Sequence, residues 1–156
     1  MKAQVVVVSD RVLAGEKENT AGLRAAARLR EAGFSCDVAV VPERAGDVDE
    51  ALRTALDDGA RVVLTLGGTG VGRRGVVPEV TERYLAAQFP ALAFQILQAG
   101  LASTPKAGLT RGLVGVTARD SSGAVVINSA SSRGAVSDAL DVMLPLIPHI
   151  FRQLEE

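Results

Sequence analysis

The apolar run Val62-Val63-Leu64-Thr65-Leu66 passes without a break into Gly67-Gly68-Thr69-Gly70. The run is too short for an independent helix, so it predicts a buried parallel strand that must turn sharply where it ends. Glycines lack a Cβ, which permits the turn and lets backbone N–H groups approach an anion, while the Thr69 hydroxyl adds a donor or acceptor. Arg73 and Arg74 follow with two permanent positive charges. Pro78-Glu79-Val80-Thr81 then reads as a helix start, with proline in the first turn and an acid beside it. Strand, glycine turn, arginines and helix start describe an oxyanion or phosphate site. The plainer alternative is a chain reversal of the kind that α/β proteins commonly need. The spacing is neither a Walker A loop, since no Gly-Lys-Ser/Thr follows, nor the dinucleotide fingerprint after a first strand.

The same reasoning extends along the chain. Gln4 to Val8 predicts a first strand ending in Ser9-Asp10-Arg11, read as a loop end with ligand-facing or merely solvated side chains. Thr20 is a candidate N-cap for a helix over Ala21 to Ala32, and Gly33 a left-handed stop. Ser35 to Val41 predicts a second strand, Asp47 to Asp58 a helix stopped by Gly59, and Arg61 to Leu66 the third strand. Helices are expected over Glu79 to Gln88 and Ala91 to Gly100, broken near Pro90. Phe89, Leu92, Phe94 and Leu97 in this region read as core or subunit-contact residues. An irregular connector over Leu101 to Thr110 leads to strands at Gly112 to Ala118 and Ala124 to Asn128, joined by the hairpin-like Arg119 to Gly123. A last helix runs from Ala135 to about Leu154, kinked or split by Pro145 and Pro148. The expectation is a single three-layer α/β/α domain on a mainly parallel sheet, with one antiparallel pair. Its strand-end loops carry Ser9 to Arg11, Glu43 and Arg44, Gly67 to Arg74, and Ser129 to Arg133, a rim suited to a phosphorylated ligand.

Composition narrows the class of partner. A net charge of −1 speaks against a nucleic-acid binder, and no apolar stretch is long enough to span a bilayer. The single cysteine, Cys36, has no internal partner and lies in an apolar run, which suits a core position in a reducing compartment. Without a signal-like leader ahead of the first strand, the cytoplasm is the expected location. The only histidine, His149, stands beside Pro148 and is not expected to bind a metal.

Val62 to Thr81, with Gly67-Gly68-Thr69-Gly70 and Pro78-Glu79, resembles the signature of the MoaB/Mog family of molybdenum-cofactor biosynthesis proteins, whose usual form is TGGTG, an Asp a few residues on, then TPE or TPD. Thr110-Arg111-Gly112 with Gly115-Val116, Ser9-Asp10-Arg11 and Val40-Val41-Pro42 resemble further family segments, in the same order along nearly the whole chain. The resemblance implies an α/β/α fold, commonly a trimer, that binds molybdopterin at the strand-end rim, with other cofactor-biosynthesis proteins as partners. It implies that active members adenylylate molybdopterin with ATP and a divalent metal such as magnesium. Carried onto this sequence, Glu43, Glu79 and Asp10 become the catalytic carboxylates, with Glu43 also the metal ligand. Ser9, Gly67, Gly68, Thr69, Gly70, Arg73, Arg111, Ser131, Ser132 and Arg133 become the ligand-binding set.

The departures from the family pattern fall on the chemistry. Gly75 stands where the motif has its Asp, and Ser129-Ala130-Ser131-Ser132-Arg133 replaces a Leu-Pro-Gly-x-Pro loop. Losing a carboxylate that positions a metal costs several kcal/mol of transition-state stabilisation, a factor on the order of thousands in rate. Binding through glycine N–H groups and arginines does not depend on it. Two functions follow, an adenylyltransferase or a degenerate molybdopterin carrier, with a purely structural oligomer as a distant third.

Overall fold

The computed structural model describes residues 1–156. Strand β1 (Lys2–Val8) pairs in parallel with β2 (Ser35–Val41) on one side and β3 (Ala60–Leu66) on the other. Beyond β3 lies β6 (Val125–Ser129), again parallel, then β5 (Val114–Val116), antiparallel to β6, then the two-residue edge β4 (Ala87–Gln88), antiparallel to β5. The order β2-β1-β3-β6-β5-β4 makes one six-stranded sheet, mainly parallel as expected, with β4 added where the sequence predicts a helix.

Alternation along the strands explains the layers. Val5 and Val7 of β1, Leu64 and Leu66 of β3 and Ile127 of β6 face one core, while Val6, Val8, Val63 and Val126 face the other. The first core is covered by α2 (Thr20–Glu31), α5 (Pro90–Leu101), α6 (Arg133–Met143) and α7 (Ile147–Glu155). The second lies under α3 (Ala45–Asp57) and α4 (Val77–Glu82). Small residues draw α2 close to the sheet: Ala25 and Ala26 are fully buried, and a Cβ on Gly22 would lie 2.6 Å from Val7 Cγ2. On the opposite layer the Tyr84 hydroxyl donates to Asp49 Oδ1 (2.6 Å), fastening the end of α4 to α3. No single helix is long and apolar enough to cross a membrane.

Several boundaries differ from the sequence expectation, each for a physical reason. Ser9-Asp10-Arg11 is not a plain loop. Its last two residues begin a one-turn helix, α1 (Asp10–Leu13), with the Ser9 hydroxyl accepting the Val12 N–H at 3.2 Å. Thr20 is already helical; Asn19 is the N-cap residue of α2 and makes no side-chain cap bond. The helix expected to reach Gln88 stops at Glu82, because the following chain pairs with β5 through Ala86 N–H to the Val116 carbonyl (2.9 Å) and Phe89 N–H to the Val114 carbonyl (2.7 Å). Covering an otherwise open sheet edge outweighs local helix propensity. The connector contains a 3-10 turn, Pro105–Leu109, capped by the Thr104 hydroxyl. At the C-terminus the helix is split, with Pro145 in the break and Pro148 in the first turn of α7.

Candidate active site

The connections out of β1 and β3 leave in opposite directions: β1 leads through α2 to the edge strand β2, β3 towards α4 and the far edge. Such a switch point opens a crevice beyond the strand ends, the general location of ligands in open α/β sheets. Two clefts occupy it. The smaller, about 500 Å³, lies between the glycine turn after β3, α5, the 3-10 turn and the start of α6. The larger, about 750 Å³, lies between the ends of β1 and β3, the chain entering α2, and Arg133. Gly67, Gly68, Ser131 and Ser132 line both, so the clefts share one wall.

That wall is set by backbone that only glycine tolerates. Gly67 and Gly68 have φ of 97° and 67°, and a Cβ on Gly67 would stand 2.5 Å from the Val8 carbonyl oxygen. The Gly67 N–H donates to the Ser129 carbonyl (2.9 Å), extending the β3–β6 ladder, and is therefore not free for a ligand. The N–H groups of Gly68, Thr69 and Gly70 donate to no protein acceptor. Across the wall, the Ser132 hydroxyl caps α6 by accepting the Ala135 N–H (3.1 Å), while the N–H groups of Arg133 and Gly134 donate to no protein acceptor.

Beneath the wall sits a polar node the sequence did not single out. Asn128, 5% exposed, donates through Nδ2 to the Thr65 and Thr81 hydroxyls (3.0 Å each) and accepts the Leu113 N–H through Oδ1 (3.0 Å). One side chain thus ties β3, β6, α4 and the approach to β5 together. Its only signal in the sequence is a polar residue closing the apolar run of β6. Thr69 is buried, and the Thr110 hydroxyl donates to its Oγ1 (3.0 Å).

The charged residues divide into two groups. Glu43 and Arg74 line the larger cleft, whereas Asp10, expected at the site, stands just behind them: its carboxylate accepts the Glu43 N–H (2.9 Å), and the Arg74 guanidinium lies 3.4 Å from Asp10 Oδ2 and 3.8 Å from Glu43 Oε2. That backbone bond, helped by Arg74, holds the Asp10 carboxyl below the usual range. Burial and the neighbouring Asp10 push Glu43 up, outweighing the more distant guanidinium. Ser9, Arg11, Lys17 and Arg133 also line this cleft; Lys17 was not picked out from the sequence, where it is one charge in the polar loop after α1.

Arg111 and Glu79 form the second group. They line neither cleft and grip each other at 2.7 Å, while Arg111 also donates to the Gly70 (2.8 Å) and Gly75 (2.6 Å) carbonyls. The guanidinium closes the glycine-rich loop from outside. Arg73 is exposed and makes no ion pair; Arg74 is the member of the pair that turns to the cleft. Gly75 packs against Gly70 so closely that a Cβ there would collide with the Gly70 carbonyl.

The resident residues do not assemble a metal site. No three His, Cys, Asp or Glu side chains cluster anywhere in the chain, and the one close carboxylate pair, Asp10 and Glu43, already faces a guanidinium. Glu43, expected to hold a metal, has Asp10 as its only neighbouring carboxylate, and both already face Arg74.

Residues 4–149 match the family model described as a probable molybdopterin binding domain. The chain belongs to that family. A solved molybdopterin biosynthesis protein from Mycobacterium abscessus superposes with a TM-score of 0.87 at 37% identity, covering 98% of this chain and 95% of that one. A molybdopterin adenylyltransferase from Pyrococcus furiosus is 29% identical over 161 residues, 99% of this chain and 92% of its own. Other relatives are larger. The chain spans 18% of the Drosophila melanogaster molybdenum cofactor synthesis protein cinnamon, at 32% identity over 70% of this chain. It spans 48% of the molybdenum cofactor biosynthesis bifunctional protein of Chlorobaculum tepidum, at 26% identity over 99% of this chain. The chain thus spans less than half the length of these larger molybdenum cofactor proteins, and the two clefts are the candidate site of the family domain.

Proposed function

We propose that the chain binds molybdopterin in the smaller cleft and adenylylates it with ATP bound in the larger one. The observation that carries this reading is the shared wall, Gly67, Gly68, Ser131 and Ser132, which allows two anionic substrates to meet from opposite sides. The smaller cleft has Ala93, Ile96, Leu97 and Val114 for a flat ring system, with Thr110 and Asp138 for its polar edge. The larger has Arg11, Lys17, Arg74 and Arg133 against Glu18 and Glu43, an excess of positive charge suited to a triphosphate.

The reaction forms one bond and breaks one. An oxygen of the pterin's terminal phosphate attacks the α-phosphorus of ATP, the bond between the α-phosphorus and the bridging oxygen breaks, and pyrophosphate leaves with the electron pair. The protein's part is to hold two repelling anions in line. The free N–H groups of Gly68 to Gly70 seat the pterin phosphate, and the α6 N-terminus with Ser131 and Ser132 borders the transferred phosphoryl group. Asp10 and Glu43 act by holding Arg74, and Glu79 acts through Arg111 on the loop. Magnesium, implied by the family resemblance, lacks a donor set here, so no step is routed through it.

A carrier function without turnover is the second reading. It is favoured by Gly75, where the packing against Gly70 leaves no room for the family's carboxylate. Incubation with molybdopterin and ATP separates the two. Adenylylated pterin above a boiled control establishes the enzyme, tight pterin binding without product establishes the carrier, and failure to bind pterin ends both. We further propose a cytoplasmic trimer in which exposed Phe94 and Leu101 of α5, with Leu109, meet a second copy.

A further inference from the structure

A triphosphate needs counter-charge, and arginine and lysine side chains line the larger cleft to supply it. The Arg74 guanidinium lies between the only two carboxylates near it, 3.4 Å from Asp10 and 3.8 Å from Glu43. Three further cations, Arg11, Lys17 and Arg133, line the same cleft. A divalent ion bridging the phosphates to Asp10 and Glu43 would have to displace Arg74, the cation both carboxylates already face, and Asp10 is further engaged by the Glu43 N–H. A third carboxylate cannot come from position 75, because the Gly70 carbonyl fills the space its Cβ would need. The guanidinium therefore occupies the place between the two carboxylates that a metal would need.

We propose that this chain binds nucleoside triphosphate in the metal-free form, with Arg74, held by Asp10 and Glu43, supplying the positive charge that a divalent cation would bring. The inference rests on the reading of the larger cleft as the nucleotide site. Arginine suits the task because it is permanently charged and its planar fork can donate to two phosphate oxygens at once. Its side chain is 74% exposed, so it can swing from the carboxylates onto a phosphate without disturbing the core. Asp10 and Glu43 then keep the arm close to the cleft when it is empty.

Calorimetric titration of ATP into the full chain, once with excess EDTA and once with magnesium, tests this. Affinities within about threefold of each other support the proposal, since free ATP carries the full charge that arginines recognise. Weakening of more than about threefold in EDTA overturns it and leaves the nucleotide site standing. No ATP binding under either condition overturns it together with the nucleotide reading. Arg74→Gln, an exposed change whose folding is checked by circular dichroism, should weaken metal-free ATP binding by about tenfold or more. An unchanged affinity in that variant also overturns the assignment.

Discussion

The glycine turn is a place where single atoms decide the outcome. Gly67 lies at positive φ with the Val8 carbonyl where a Cβ would go, whereas Gly70 has nothing within 4 Å of that point and no positive φ. Gly67→Ala should therefore destabilise the fold by about 1–3 kcal/mol. Gly70→Ala should stay within about 0.5 kcal/mol of wild type in urea unfolding. Equal effects at the two positions would contradict the geometry. The sequence shows all three glycines alike, because the need for positive φ arises from the path of β1 beside them. For the same reason Asn128 was not legible as a node: its three partners lie 15 to 63 residues away. Cys36, in contrast, was readable as a core residue from its apolar run, and it is buried and unpaired.

At the scale of elements, the loop between β3 and α4 is held by the Arg111–Glu79 pair. The Arg111 guanidinium, donating to the Glu79 carboxylate, holds that carboxyl below the ordinary value of 4.5. A depressed folded pKa contributes stability that is present above 4.5 and is lost as pH falls through the folded value. The difference in melting temperature between wild type and Glu79→Gln should therefore be present at neutral pH and shrink progressively as pH falls below 4.5. A difference that persists unchanged at low pH would show that the ion pair does not brace the loop. The pairing of Arg111 with the loop was hidden in the sequence, where the residue reads equally well as a ligand clamp. Which helices exist was mostly readable from apolar spacing and from glycine stops such as Gly33 and Gly59, both at positive φ. Where α4 ends was not, since the β4–β5 pairing that stops it depends on tertiary contact.

Across the whole molecule, the alternation of strands and helices was enough to predict the three layers and the antiparallel pair, because buried parallel strands and their crossovers leave few arrangements open. The clefts were only half legible. The sequence gathers Ser9, the glycine turn and Ser131 to Arg133 at one rim, yet the start of α2 and the α5 wall that flank two clefts on that rim emerge only in three dimensions. The division into a ring-accepting cleft and a charged one, joined at Gly67-Gly68 and Ser131-Ser132, is the central claim. Its most direct test is a crystal structure of the chain soaked with molybdopterin. The account predicts the pterin ring between α5 and the 3-10 turn, with its terminal phosphate hydrogen-bonded to the N–H groups of Gly68 to Gly70. A pterin bound elsewhere, with those N–H groups facing only solvent, would contradict it.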